Sequence, residues 1–280
     1  MFNMSLATAI HNAKAGDHPD EHLGHIRQIE TVHDLFAGRY ESVCTVGETF
    51  DGAVVGLGVA EAVDGEIIHV DGTTWRIPAD GVPRRADPDL GMPFAVAAYG
   101  GKPITRSAPQ GATMSEITAI VDEVLAAEGV HHDYLVAAVS VVGDFSHVLL
   151  RSEHAQEPPY QPLGSPGQVT GEVRFDLAPW SGTLAGFRFP DIADDVVIPG
   201  LHLHGIAHDH TSGGHCHSLT VSAARITIWV DDVEIEVPGL SAAAGCDRNV
   251  GGLGFASGSP ASSGRGGDER RRGRGFLASL

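Results

Sequence analysis

Two histidines one residue apart, His202 and His204, precede a third at His215, across Thr211-Ser212-Gly213-Gly214. Side chains on an extended strand alternate between faces, so His202 and His204 share one face while Leu201 and Leu203 turn toward a core. Glycine accepts the positive φ of a tight reversal, so the Gly-Gly turn can bring His215 back to the first pair. Three neutral imidazoles that leave coordination positions open are the ligand set of a catalytic rather than a structural zinc. The spacing therefore predicts a metal site, although imidazoles also suit iron, copper and nickel and do not choose the reaction. His217 shares a face with His215 if the strand continues, and reads as a ligand, a donor behind the ligands or a solvent-facing side chain. His208 and His210 read as exposed loop residues, and Cys216, on the opposite face, as a small core residue.

The elements needed to carry these groups are mostly strands. Residues 1–25 read as a flexible leader. Thr31 is placed to cap a short helix over Val32–Ala37, ended by Gly38. Residues 43–77 read as strands punctuated by Asp64-Gly65 and Asp71-Gly72, which are hairpin signals. Phe94–Tyr99 predicts another strand. Thr113 and Glu116 form a capping-box pattern ahead of Ile117, Ile120, Val121, Val124 and Leu125, which recur at helical spacing until Gly129. Residues 135–142 and 148–150 return to strand character, and Pro158–Pro166 reads as a link between two lobes, about 26–165 and 166–244. Residues 225–230 alternate cleanly. From 245 to 280 the chain is Gly/Ser/Arg-rich text that cannot bury enough apolar surface to fold, and reads as a disordered tail.

Composition narrows the partners. The 280 residues carry a formal charge of −18, with lysine only at Lys14 and Lys102. The tail holds six of the 18 basic residues and three of the 36 acidic ones, so residues 1–244, with 12 basic and 33 acidic, reach −21. Such a surface argues against a nucleic-acid backbone as partner. No apolar run reaches the roughly 18 residues of a membrane span. Residues 1–25 are polar, unlike a secretory signal, and Cys44, Cys216 and Cys246 show no disulfide framework. The expectation is a cytoplasmic protein without membrane contact.

The longer pattern is similar to the alpha-acetolactate decarboxylase family. Gly186-Phe187-Arg188-Phe189-Pro190-Asp191, Pro199 to His204, and Asp209 to His215 resemble its signature. Ile26-Arg27-Gln28-Ile29 with Leu35-Phe36-Ala37-Gly38, Asp64 to Ile68 with Asp71-Gly72, and Arg151-Ser152 followed by Gln156 to Tyr160 and Pro162-Leu163 resemble its other blocks, in family order over roughly residues 26–240. The resemblance implies a mixed α/β (α+β) fold of two strand-rich lobes with few helices and a zinc site on strands of the second lobe. It implies a carbon–carbon lyase converting (S)-2-acetolactate, a 2-hydroxy-3-keto acid, to (R)-acetoin and carbon dioxide through a metal-stabilised enediolate. It assigns His202, His204 and His215 to Zn2+, Glu66 to proton handling and Arg151 to the substrate carboxylate and enediolate, and leaves room for a homodimer.

Departures from the family pattern are Gly205, His210, Ser212 and His217, at positions where the family commonly has an aromatic residue, Arg, a second aromatic residue and an apolar residue. The family's acidic, helical ending with a second active-site Glu is not recognisable after Pro238, where Glu269 is the only Glu of the tail. A shifted reading frame and divergence both explain this. Two other readings remain: a cupin-like metal oxygenase or isomerase, with Asp209 as its loosely spaced carboxylate, and a catalytically impaired metal-binding protein.

Overall fold

The computed structural model describes residues 24–128, 136–163, 171–190 and 196–236. The leader before residue 24, part of the Pro-rich link and the tail from 237 onward lie outside the described residues. In chain order the elements are β1 (Gly24–Ile29), α1 (Val32–Phe36), β2 (Cys44–Thr45), α2 (Val46–Phe50), β3 (Val55–Val59), β4 (Glu66–Val70), β5 (Thr73–Ile77), β6 (Arg84–Arg85), β7 (Gly91–Met92), β8 (Phe94–Tyr99) and β9 (Ile104–Ala108). They continue with α3 (Met114–Ala127), β10 (Val136–Glu153), β11 (Glu172–Leu177), β12 (Trp180–Phe189), β13 (Gly200–Ala207) and β14 (Gly213–Glu236). The fold is strand-rich with few helices, the mixed α+β class expected.

The largest sheet runs β11-β10-β12-β13-β14-β1-β8-β3-β4-β5-β6, with β9 on β14 and a further pairing of β10 with β14. Strands β10, β12, β13 and β14 therefore close on one another. The pairing of β1 with the far end of β14 is parallel and carries the sheet into the N-terminal strands. One apolar core gathers Ile117, Val121, Val139, Val141, Leu203 and Ile226 beneath α3; a second gathers Ile26, Leu57, Ile68, Ile77, Phe187 and Ile206. The packing groups α3 and β10 with the later strands, and Phe187 and Ile206 with the earlier ones, so neither core stops at residue 165. β1 likewise begins at Gly24, inside the segment read as leader.

Local chemistry accounts for most elements. Thr31 caps α1 by accepting a hydrogen bond from the Asp34 amide, and Thr113 with Glu116 forms the capping box of α3. Asp71 and Gly72 have φ of 51° and 68°, the type I′ geometry that matches strand twist and joins β4 to β5. Two expectations need correction. The stretch read as strands from 43 contains α2, because Thr45 and Glu48 make a second capping box. The two strands expected at 135–142 and 148–150 are one, β10. Register shifts against β14 at Asp144/Phe145, Phe145/His147 and Leu149/Leu150 bend it without ending it.

Candidate active site

The site forms where β13, β14 and β10 meet the start of β4. His202 and His204 lie on β13. His204 is in register with His215 on β14, and His215 with Arg151 on β10. Leu203 is buried in the core beneath and Leu201 packs against it, as the alternation requires. Gly214 has a φ of 143°, and a Cβ there would lie 2.3 Å from the Arg151 carbonyl oxygen, so the turn that returns His215 needs glycine at this position. β4 is fastened to this surface by the His204 Nδ1–H, which donates to the Ile67 carbonyl at 2.7 Å. The Ser152 hydroxyl donates to the Ile77 carbonyl at 2.6 Å and ties down β5.

Three ring nitrogens converge. His202 Nε2 lies 3.1 Å from His215 Nδ1 and 3.2 Å from His204 Nε2, and the ligand atoms of all three residues fall within 4.8 Å of one another. Nitrogens on one tetrahedral zinc, at bond lengths of 2.0–2.1 Å, stand about 3.3 Å apart. The bond from Nδ1 of His204 fixes its tautomer and leaves the Nε2 lone pair facing its neighbours. Burial holds the pKa of all three imidazoles down: His204 falls to about 3, and His202 and His215 fall well below the ordinary histidine value, helped by neighbouring rings and Arg151. They are neutral at physiological pH, the form that binds metal.

Charged groups stand beside them. Arg151 Nη1 donates to Glu66 Oε1 at 2.8 Å, and Glu66 Oε2 lies 3.3 Å from His204 Nε2. Burial raises the Glu66 carboxyl, and Arg151 opposes that rise. Two carboxylates not singled out from the sequence join the cluster: Glu153 Oε1 accepts from Arg151 Nη1 at 2.9 Å, and Glu172 Oε2 lies 3.6 Å from Arg151 Nε. Alternation from Arg151 along β10 was the available signal for Glu153; Glu172 depends on the pairing of β11 with β10. With all three ionised, Arg151 faces three carboxylates, of which only Glu172 has a second guanidinium partner, Arg174, so one negative charge is left over. A divalent cation among the imidazoles would offset that excess, so the donor set and its charge both fit zinc.

The remaining sequence candidates fall outside the triad. Asp209 accepts hydrogen bonds from the Thr211 amide and hydroxyl in an exposed turn, which removes the carboxylate expected of a cupin-like site. The His210 ring lies tilted against Trp75 with centroids 4.3 Å apart, and Nδ1 of the exposed His208 lies 3.2 Å from the Ser181 hydroxyl. His217 neighbours the His215 ring, with Nε2 buried and without a hydrogen-bond partner among the described residues. At Gly205 a Cβ would lie 2.6 Å from Leu184 Cδ2, so glycine there makes room for that core side chain, while Ser212 accepts a hydrogen bond from the Trp180 indole N–H.

The alpha-acetolactate decarboxylase family model matches residues 26–243. The chain belongs to the alpha-acetolactate decarboxylase family. Membership makes it an enzyme of the carbon–carbon lyase class. It is 32% identical to the alpha-acetolactate decarboxylase of Methanosarcina mazei over 206 residues, covering 74% of this chain and 69% of the relative. The Methylococcus capsulatus enzyme of the same name is 31% identical, over 79% of this chain and 83% of its own length. The crystal structure of alpha-acetolactate decarboxylase from Bacillus subtilis strain 168 superposes with a TM-score of 0.70 at 24% identity, covering 77% of this chain and 89% of that one, which shows the shared fold. Among the described residues no helix is long and apolar enough to cross a membrane.

Proposed function

We propose that this enzyme decarboxylates (S)-2-acetolactate to (R)-acetoin with a zinc ion held by His202, His204 and His215. The observation that carries the reading is the convergence of three neutral, desolvated imidazole nitrogens beside a buried Arg–Glu pair, in a chain of this family. Loss of carbon dioxide from a 2-hydroxy-3-keto acid leaves an enediolate. A zinc ion in the triad would supply the Lewis acid that stabilises charge on the oxygens of that enediolate.

The chain's own groups do the rest. Arg151 has donors beyond the Nη1 bonds to Glu66 and Glu153, and a guanidinium pairs with a carboxylate in a planar, two-point fashion that orients the departing group. Glu66, whose carboxyl burial raises, holds a proton more readily than an exposed carboxylate does. It handles the proton delivered to the carbon that lost carbon dioxide, and its fixed side sets the configuration of acetoin.

The test is acetoin formation from racemic acetolactate by zinc-loaded protein, with metal content measured in parallel. Acetoin from the wild type, absent in His204→Ala together with the zinc, supports the reading. Zinc bound in the triad without any acetoin would leave a metal-binding protein instead.

A further inference from the structure

Four charged side chains face one another across two neighbouring strands. Arg151 is in register with Arg174, and Glu153 with Glu172, along β10 and β11. Like charges directly opposite on a sheet face are destabilising. Water relieves the Arg151–Arg174 pair through the exposed Arg174 but does little for the carboxylate pair, because Glu153 and Glu172 are only 15% and 18% exposed. Attractions run along each strand and on the diagonal: Arg151 to Glu153, Arg174 to Glu172, and Arg151 to Glu172. Glu66 then adds a third carboxylate to the same guanidinium. Burial, with Glu66 and Glu172, pushes Glu153 up to about 6 in spite of Arg151. For stability alone a neutral side chain would serve better at this position.

What Glu153 does is geometric. Nη1 of Arg151 is bonded by Glu66 from β4 and by Glu153 from β10, so the guanidinium is held from two strands at one nitrogen. Its Nε is buried and has no hydrogen-bond partner among the described residues. A planar fork fixed at one end has a fixed direction for its other donors. We propose that Glu153 is a positioning residue, held at a cost to the fold, which with Glu66 fixes the Arg151 guanidinium so that its remaining donors meet the substrate carboxylate. The inference rests on the decarboxylase reading; Glu153 acts through Arg151 and does not touch substrate.

Two variants test it. Glu153→Gln keeps an oxygen for Nη1 and removes the charge; Glu153→Ala removes both. In zinc-loaded protein, Glu153→Ala raises KM for acetolactate about tenfold with kcat changed less than about threefold, and Glu153→Gln stays within about threefold of wild type on both. In metal-free protein at pH 7.5, Glu153→Gln melts about 2–4 °C higher than wild type. A purely structural Glu153 would give lower melting in both variants, and that result overturns the inference. So does a Glu153→Ala variant with unchanged KM, or a Glu153→Gln variant as impaired as Glu153→Ala. A wild type that forms no acetoin would sink the decarboxylase reading alone. The melting comparison would then decide whether Glu153 sits at a cost to the fold, a higher-melting Glu153→Gln supporting that and a lower-melting one overturning it.

Discussion

The two halves of the site are built on opposite electrostatic principles. The imidazole half, His202, His204 and His215, is made neutral by burial and comes from one hairpin spanning 14 residues. The charged half gathers Glu66, Arg151, Glu153 and Glu172 from three strands, with Arg174 on Glu172, and keeps one more carboxylate than its two guanidinium groups offset. A neutral ligand set lets a cation bind without competing protons, while an acidic neighbour gives that cation a reason to stay. On the proposed reading a bound cation would also offset the charged half, where Arg151 and Arg174 together face three carboxylates. Each half is thus incomplete without the other, and substitutions should separate their contributions.

The largest effect is expected on the imidazole side. His215→Ala removes one of three ligands, and zinc content and acetoin formation should both fall to background while the protein still folds, as judged by circular dichroism. On the charged side the two losses should part company. Glu66→Gln keeps zinc but lowers kcat about 10²–10⁴-fold, the usual range for a proton-transfer group. Arg151→Lys, which keeps the charge but loses the planar fork, lowers kcat/KM about 10²–10³-fold with zinc retained. Equal zinc loss in all three variants would erase the distinction between the halves.

A smaller effect separates the site from its support. Phe187→Ala empties a buried position on β12 and should cost about 3–5 kcal/mol in urea unfolding. The smallest concerns pH. An acid whose folded value is raised disfavours the folded state above that value, and the penalty is relieved as pH falls. In metal-free protein, Glu153, raised to about 6 from an ordinary 4.5, should therefore cost at most about 2 kcal/mol above pH 7. That cost should fade as pH drops through about 6 toward 4.5, and Glu153→Gln should flatten this part of the stability profile.

The same contrast explains what could be read from the chain. The His-x-His alternation and the Gly-Gly turn encode their own geometry, because period two and positive φ are local properties. The fold class, the α3 helix and the Asp71-Gly72 reversal were legible for the same reason. Glu66 and Arg151 carry no local signal and stood out only through resemblance; their meeting depends on β4 docking against β13 through Ile67 and His204. Glu172 needs the β10–β11 register, which residues 171–177 do not announce. α2 was hidden because its five residues are too few for a periodic signal, although its capping box was there to see. Continuous β10 was hidden because bulges interrupt the alternation without ending the strand.

The central claim is that the two halves work around one zinc ion, and a metal titration tests it most directly. Chelator-treated protein receives zinc in steps while the initial rate of acetoin formation from racemic acetolactate is recorded. The rate should start at background, climb in proportion to zinc and level off at about one ion per chain, as an open three-histidine site requires. Acetoin formed at full rate before any zinc is added, or none formed at any ratio, would contradict the account.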